Sequence, residues 1–249
     1  MIYTDYKIAI PSYKRHKIIK RKTLELLNKH NIPKSKITIF VANQEEYDLY
    51  NKELECQYKL VIGEIGMKNI RNFIVDYYEF GENIMNFDDD LEEFVTINYC
   101  FNLDEWIRNS FELLELHDSN LFGLYPVNNK FFMKPLLRTD LRYIIGSCWG
   151  CRNMRVKVSL DDKEDVERSI LYYLRDGIIL RFDDLSVKSK YYKEKGGMQE
   201  TRTKLRIEQS AKYLVDKYPK LCSLKMSKKH NTYEVKLKDR RGYEIFKIE

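Results

Sequence analysis

The sequence predicts an α/β fold: a mostly parallel central sheet flanked by helices, with a more irregular C-terminal part. Short apolar segments alternate with amphipathic helical segments over residues 7–90, a pattern typical of parallel strands joined by crossover helices. The apolar segment at residues 82–87 leads directly into three consecutive aspartates, Asp88 to Asp90. Ligands of such sheets bind at the carboxyl ends of the strands, so these acids mark a candidate site.

Apolar spacing assigns the elements of the first half. Short apolar runs indicate strands, whereas apolar residues repeating at a period of about 3.6 indicate amphipathic helices. Residues 31–33, which end in a proline, stop the first helix. We predict strands at residues 7–10, 37–41, 59–62 and 82–87, and helices at residues 18–30, 45–54 and 66–79.

The second half has the same kinds of element in a less regular order. Its apolar stripes predict helices at residues 102–117, 164–175 and 199–218, and apolar runs predict strands at residues 121–127, 141–147 and 153–158. We find no internal repeat and no Pro/Gly-rich linker between the halves. The chain is therefore expected to form a single domain over residues 1–249, with residues 1–100 and 101–249 as its two halves.

Composition places the chain among globular proteins with a substantial core. Of its 249 residues, 43% are apolar and 33% are charged, and no apolar run reaches the roughly 20 residues that a membrane span needs. Residues 1–10 lack a signal-peptide pattern. We therefore expect a cytoplasmic or nuclear location and no membrane partner.

The net charge of +6 is distributed unevenly. Basic clusters occur at residues 14–22, 188–195 and 225–241, and the second is interleaved with Tyr191 and Tyr192. Such clusters favour a polyanionic partner, either a nucleoside diphosphate or a nucleic-acid backbone. For any single cluster, a solvated, lysine-rich surface is the better explanation.

The five cysteines, an odd number without a secretory signal, indicate free thiols. Cys148 and Cys151 have the C-x-x-C spacing of metal or redox sites, but no second C-x-x-C follows at the distance of a zinc site. We favour reduced, partly buried thiols for this pair over zinc binding or redox chemistry.

The three aspartates carry the strongest chemical signal. Adjacent carboxylates repel and raise each other's pKa unless a cation or hydrogen-bond donors neutralise them. A hard divalent cation does this well, and it also bridges to the phosphates of a bound nucleotide. The alternative is an acidic loop in which Asp89 or Asp90 caps the following segment. The converging turns at residues 11–15 and 63–66 favour a nucleotide–metal site.

The order of these pieces resembles a GT-A glycosyltransferase, which has a Rossmann-like fold. The resemblance rests on four motifs: the strand and loop at residues 8–13, the Gly-x-x-x-x-Arg-Asn helix start at residues 66–72, the Asp-x-Asp motif at residues 86–90, and the acidic helix start at residues 163–167. It covers most of residues 6–175. Within that class the chain looks most like viral and phage TET-associated glycosyltransferases, which act on hydroxymethylated pyrimidines in DNA.

The resemblance implies a UDP-sugar donor bound by residues 1–100, an acceptor bound by residues 101–249, and a cofactor of Mn2+ or Mg2+. The nucleotide-sugar-binding residues that it implies are Pro11, Ser12, Tyr13, Arg15, Arg71, Asn72, Asp88 and Asp89. The metal ligands that it implies are Asp88, Asp90 and His230. Simpler alternatives remain for two of these residues: ordinary packing for Tyr13, and a surface salt bridge to Asp76 or Glu79 for Arg71.

Asp165 and Glu164 are the candidate catalytic residues, with Asp165 slightly preferred. An acceptor hydroxyl is a weak nucleophile, so an inverting transferase needs a carboxylate to accept its proton. The alternative is that these acids only stabilise the helix N-terminus. A retaining enzyme needs no such base, and the two acids then only orient the acceptor.

The predicted acceptor is DNA with a hydroxymethylated pyrimidine. A GT-A enzyme that builds a virion or surface glycan is the alternative within the same class. A metal-dependent nuclease or nucleotidyltransferase is a further alternative, and it needs more carboxylates near the metal than the first half offers. A non-catalytic nucleic-acid-binding module is the last alternative. It is disfavoured because the three aspartates would have no purpose beside a phosphate backbone that they repel. The sequence does not determine the oligomeric state or the sugar.

Overall fold

We describe residues 4–97, 101–189, 196–197, 202–227, 232–238 and 245–247 of a computed structural model of the chain, the last range by its backbone alone. The α-helices are α1 (His16–Ile19), α2 (Glu25–Lys29), α3 (Gln44–Glu53), α4 (Met67–Tyr77), α5 (Leu103–Leu116), α6 (Glu164–Asp176) and α7 (Lys204–Lys217). A π-helical segment, Lys20–Leu24, joins α1 to α2.

The strands of the main sheet come from both halves of the chain. They are β1 (Lys7–Pro11), β2 (Ile37–Val41), β3 (Lys59–Ile62), β4 (Asn83–Phe87), β6 (Leu121–Leu124), β7 (Leu136–Arg138), β8 (Cys148–Arg152), β9 (Leu180–Phe182) and β13 (Ile245–Lys247). Two small antiparallel sheets pair β5 (Leu91–Thr96) with β10 (Leu185–Ser189), and β11 (Cys222–Ser227) with β12 (Thr232–Leu237).

The main sheet has the strand order β13-β7-β9-β6-β8-β4-β1-β2-β3. Strands β4, β1, β2 and β3 are parallel neighbours, and β6 is parallel to β9. Strand β8 is antiparallel to both β4 and β6, so β6 and β9 point in the same direction as β4. Of the described strands in this sheet, only β7 and β8 oppose the others. The predicted mostly parallel α/β sheet is confirmed, and the carboxyl ends of β1, β4, β6 and β9 lie at one edge.

Helices cover both faces of this sheet. One buried cluster contains apolar residues of α1, α2, α3 and α5, with Ile19, Leu27 and Phe111 among them. The other contains residues of α4, α6 and α7, including Ile74 and Ile170. Both faces of β1, β2 and β4 are therefore buried, which explains why these strands are near-continuous apolar runs in the sequence.

All of the elements predicted for the first half are present, with ends shifted by a few residues. The second half differs at two predicted strands. Residues 141–147 form no strand, although Leu141, Ile144 and Ile145 are buried. Ile144 instead packs against Gly123 of β6, and its backbone N–H donates to the Ser169 hydroxyl at 3.2 Å. A buried apolar loop has the same sequence signature as a short buried strand, so this prediction was wrong.

Residues 153–158 are also not a strand. The Asn153 amide donates to the carbonyls of Val75, Tyr78 and Glu79, which ties this segment to the end of α4 rather than to a neighbouring strand. One of the strands that the sequence did not reveal is β8, which contains Gly150. A Cβ at Gly150 would lie 2.2 Å from the Phe122 ring, so the close packing of β8 against β6 requires glycine there.

The C-x-x-C pair lies on β8 with its two thiols on opposite faces of the sheet. Cys148 belongs to one buried cluster and Cys151 to the other, because residues three apart on a strand point in opposite directions. Both cysteines are free, and burial raises the pKa of Cys151 to about 11. Because the two thiols lie on opposite faces of the sheet, they do not meet to form a disulfide or to bind one metal together, which supports the interpretation as reduced thiols.

Among the described residues, no helix has both the length and the apolar character that crossing a bilayer requires.

Candidate functional site

The candidate site lies at the carboxyl ends of β1 and β4. Ser12 follows β1, and Asp88, Asp89 and Asp90 follow β4. Because β1 and β4 are adjacent parallel strands, their following loops meet at the same sheet edge. The structure therefore brings together two of the three loops that the sequence predicted to converge.

Thr23 fixes the backbone of the aspartate loop. Its hydroxyl, fully buried in the π-helical segment, donates to the Asp88 carbonyl at 2.7 Å and accepts from the Leu91 N–H at 2.9 Å. The Asp88 N–H donates to the Ser147 carbonyl at 2.9 Å. These bonds position the three carboxylates before any ligand binds.

Asp89 points inward and is held by residues of the β1 loop. Its carboxylate accepts from the Ser12 hydroxyl at 2.6 Å and from Arg15 Nη1 at 2.8 Å. Tyr50 completes this group, since its hydroxyl lies 2.6 Å from the Ser12 hydroxyl and accepts from the Arg15 N–H at 3.0 Å. Burial raises the pKa of Asp89, and Arg15 and Ser12 oppose that rise.

Asp88 lies on the other side of the loop and faces Arg71 of α4. Arg71 Nη2 donates to the Asp88 carboxylate at 3.1 Å and to the Gly146 carbonyl at 3.1 Å. The Asp88 side chain keeps 34% of its surface exposed, whereas Arg71 is buried. Burial of the carboxyl group, opposed by Arg71 and reinforced by Asp90 and Asp89, raises the pKa of Asp88 to about 7.

Arg71 forms a buried ion pair rather than the alternative surface pair with Asp76 or Glu79. Besides Asp88, its guanidinium approaches Glu164, with Nε 3.7 Å from the carboxylate. Its Nε and Nη1 atoms have no hydrogen-bond partner among the described residues. Buried N–H groups without a partner are costly, so this arginine is a candidate to bind an anion entering from the Asp88 side.

Glu164 and Asp165 are the first two residues of α6. Both side chains lie beside Gly146, but their surroundings differ. Glu164 is 8% exposed, and its carboxylate accepts from Arg168 Nη1 at 2.6 Å. The Arg168 guanidinium lies 3.7 Å from the Trp149 ring centroid, in a cation–π contact. Burial raises the pKa of Glu164, opposed by Arg168 and Arg71. The side chain is thus enclosed within an ion-pair network.

Asp165 is only partly buried. Its carboxylate accepts from the Tyr143 hydroxyl at 2.5 Å and from the Val166 N–H at 2.9 Å. A Cβ at Gly146 would lie 3.5 Å from the Asp165 carboxylate, so this group borders the carbonyl that binds Arg71. The structure therefore places both predicted base candidates beside the aspartate loop and leaves Asp165 the more accessible.

The other predicted site residues differ in where they lie and in what they contact. Pro11 ends β1, and Tyr13 is half-buried, with its carbonyl accepting from the Gly197 N–H at 3.1 Å. Both ends of the Asn72 amide bond to the backbone of Val158, at 2.9 Å each, so Asn72 ties α4 to residues 153–158 and we do not keep it as a nucleoside ligand. His230 lies outside the described residues.

Asp88 and Asp90 keep part of their side-chain surface exposed at this edge, in addition to their contacts with Arg71 and Arg15. Within the described parts of the chain, no group of three or more His, Cys, Asp or Glu side chains is arranged to hold a metal. Mg2+ and similar cations commonly use one or two protein carboxylates and complete their shell with substrate phosphates and water. The donor set therefore fits a cation that binds together with a diphosphate, and it does not fit an all-protein metal cage.

Sequence analysis missed several residues of this site. Thr23, Tyr50, Tyr143 and Trp149 lie far from the aspartates in the chain, and no local pattern marks them. Arg168 was accessible to sequence reasoning, because it follows Glu164 by one helical turn, where opposite charges pair.

A second acidic pair, Asp183 and Asp184, follows β9 at the same sheet edge. Asp183 is neutralised by Arg181 at 2.8 Å and Arg138 at 3.0 Å. Asp184 is buried, and its Oδ1 atom has no hydrogen-bond partner among the described residues. Burial, reinforced by Asp183, raises the pKa of Asp184 to about 6.

Comparison with known proteins identifies the fold. No protein-family model and no curated protein sequence matches the chain. Glucosyl-3-phosphoglycerate synthase from Mycobacterium tuberculosis, solved with Mn2+, UDP and glucosyl-3-phosphoglycerate, matches with a TM-score of 0.52 and 10% identity over 95% of this chain and 90% of that chain. The same enzyme with Mn2+, UDP and phosphoglyceric acid matches with a TM-score of 0.51 and 9% identity, covering 95% and 89%.

A further mycobacterial protein matches with a TM-score of 0.51 and 9% identity, covering 95% of this chain and 86% of that chain. At such low identity these likenesses establish the fold alone. The chain has the GT-A glycosyltransferase fold, as the motif order predicted.

Thr23→Val should destabilise the protein because it leaves the buried Asp88 carbonyl and Leu91 N–H unpaired. We expect the free energy of unfolding to fall by about 1–3 kcal/mol, measured by urea denaturation. Thr23→Ser keeps the hydroxyl and should cost only about 1 kcal/mol. Equal losses for the two variants would contradict the hydrogen-bonding role.

Asp184→Asn should stabilise the protein at pH 8. A carboxyl group whose pKa is raised on folding contributes stability below its unfolded pKa, and that contribution is lost as the pH rises through about 6. The variant should exceed the wild type by roughly 1–3 kcal/mol at pH 8 and lose this advantage near pH 4. Asp216→Asn, at an exposed position, is the control. A pH-independent difference in urea denaturation would contradict the assignment.

Proposed function

We propose that this chain is a metal-dependent glycosyltransferase that takes its sugar from a UDP-sugar. The observation that carries the proposal is the convergence of Asp88, Asp90, Arg71 and the accessible carboxylate of Asp165 at one edge of a GT-A sheet. Support comes from the structural neighbour that was solved with Mn2+ and UDP.

Asp88 and Asp90 would hold the divalent cation, Mn2+ or Mg2+. When bound, such a cation neutralises the negative charge that develops on the departing diphosphate. Arg71 would contribute to the same end, because its guanidinium fork suits phosphate oxygens and it has unpaired N–H groups beside Asp88. Ser12 and Arg15 hold Asp89 and so shape the floor of the donor site.

Asp165 would act as the base of an inverting transfer. The acceptor oxygen forms its bond to the anomeric carbon while the bond from that carbon to the diphosphate breaks, and the electron pair of that bond leaves on the phosphate oxygen. The acceptor proton moves to the Asp165 carboxylate, which the Tyr143 hydroxyl orients at 2.5 Å. Glu164 is the weaker candidate because Arg168 and Arg71 already engage it.

For the acceptor we keep the hydroxymethylated pyrimidine of DNA that the sequence resemblance implies. The comparisons add no support for it, since the neighbour was solved with phosphoglyceric acid. Mass spectrometry of nucleosides from hydroxymethylated DNA, after incubation with the protein, Mn2+ and a panel of UDP-sugars, tests it directly. A hexose or N-acetylhexosamine mass on the pyrimidine supports the DNA acceptor. Donor hydrolysis without modified DNA points to a glycan acceptor.

Asp90→Asn should weaken Mn2+-dependent UDP binding at least tenfold, because it removes one of two carboxylate ligands. Isothermal titration calorimetry measures this affinity, and the melting temperature in metal-free buffer should change little. Asp76→Asn, at an exposed position on α4, is the matched control. Unchanged UDP affinity in Asp90→Asn would remove the metal assignment, and a nuclease or nucleotidyltransferase would then be the next hypothesis to test.

Asp165→Asn should leave UDP affinity intact while kcat falls by roughly a hundredfold to ten-thousandfold, the usual contribution of a general base. Glu164→Gln should instead lower stability, since it breaks a buried ion pair with Arg168. Steady-state kinetics and urea denaturation of both variants separate the two roles. Near-normal turnover by Asp165→Asn would show that it is not the base.

A further inference from the structure

Arg15 is the one cation placed between two of the three aspartates, within the part of the chain that the structure describes. Its side chain is only 10% exposed. Nη1 lies 2.8 Å from the Asp89 carboxylate and 3.4 Å from the Asp90 carboxylate. A guanidinium in this position partly neutralises the carboxylate that the proposed function assigns to the metal.

The surroundings of Arg15 are built to hold it. Its Nη2 donates to the Gly196 carbonyl at 3.1 Å, and its backbone N–H donates to the Tyr50 hydroxyl. A Cβ at Gly197 would lie 3.2 Å from the guanidinium carbon, and both glycines have positive φ. Only glycine adopts this backbone easily, so the closely packed wall beside Arg15 depends on these two residues.

The two carboxylate contacts of Arg15 differ in strength. Asp89 is buried, is held a second time by Ser12, and makes the shorter contact. Asp90 is 13% exposed and makes the longer one. A competing cation therefore breaks the Arg15–Asp90 contact first, while Asp89 and the Gly196 carbonyl keep the guanidinium in place.

We propose that Arg15 competes with the divalent cation for Asp90, so that metal binding becomes strong only when a diphosphate binds with it. The inference rests on the proposed function. Two cations that share one carboxylate repel each other, and a diphosphate placed between them relieves that repulsion. Metal and nucleotide then strengthen each other's binding reciprocally, as linkage requires. Arg15 is a positioning residue in this scheme, because it acts through Asp90 and the diphosphate.

The test measures Mn2+ affinity directly, by electron paramagnetic resonance of free Mn2+, with and without UDP. Arg15→Gln should bind Mn2+ at least fivefold more tightly than the wild type without UDP. The factor by which UDP tightens Mn2+ binding should shrink at least fivefold. Arg15→Lys keeps the charge and should resemble the wild type. Arg21→Gln, at an exposed position in the π-helical segment that follows α1, is the matched control.

Arg15→Met, which keeps the aliphatic stem, replaces Arg15→Gln if the latter fails to fold by circular dichroism. Mn2+ affinity equal to or weaker than that of the wild type in the neutral variants, without UDP, overturns the competition, and the proposed function survives. Absence of Mn2+ binding to the wild type even with UDP overturns the proposed function and this inference with it.

Discussion

The confinement of three adjacent carboxylates at the end of a buried strand is the constraint on which the rest of the site depends. The three carboxylates have two arginine partners: Asp88 faces Arg71, whereas Asp89 and Asp90 share Arg15. Thr23 fixes the loop by its backbone, so the side chains are free to take these separate partners. Without these arginines, burial of adjacent carboxylates would favour their protonated forms. Burial already raises the pKa of Asp88, although Arg71 opposes that rise.

Charge balance extends this constraint to α6. The contacts join four carboxylates (Asp88, Asp89, Asp90 and Glu164) to three guanidiniums (Arg15, Arg71 and Arg168). Among the described residues of this cluster the carboxylates outnumber the guanidiniums, and a divalent cation would offset that surplus. Burial raises the pKa of Asp88 to about 7, and the neighbouring carboxylates of Asp90, Asp89 and Glu164 add to that rise. The charges of these carboxylates thus relate the proposed metal, the three arginines and the raised pKa of Asp88.

The features that could be predicted from the sequence are those that local residue patterns determine. The alternation of β1 to β4 with their helices, and the position of the aspartates after β4, are visible because apolar periodicity and chain order determine them. Sequence reasoning failed where tertiary packing decides. The segment at residues 141–147 has buried apolar side chains because it lies between β6 and α6. Gly150 allows β8 to lie in the middle of the sheet against Phe122. The partners Tyr50 and Tyr143 could not be predicted, since only the fold brings them to Ser12 and Asp165.

The contrast between Glu164 and Asp165 shows how neighbouring acids acquire different roles. One residue along α6 rotates a side chain by about 100°, which turns Glu164 toward Arg168 and Trp149 and leaves Asp165 beside Tyr143. A carboxylate in a buried ion pair is a poor base, because protonating it strands the charge of its partner. A partly exposed carboxylate with a hydroxyl donor has no such cost. In the proposed mechanism, Glu164 therefore maintains the geometry of Arg71 and Asp88, and Asp165 is the carboxylate that accepts the proton.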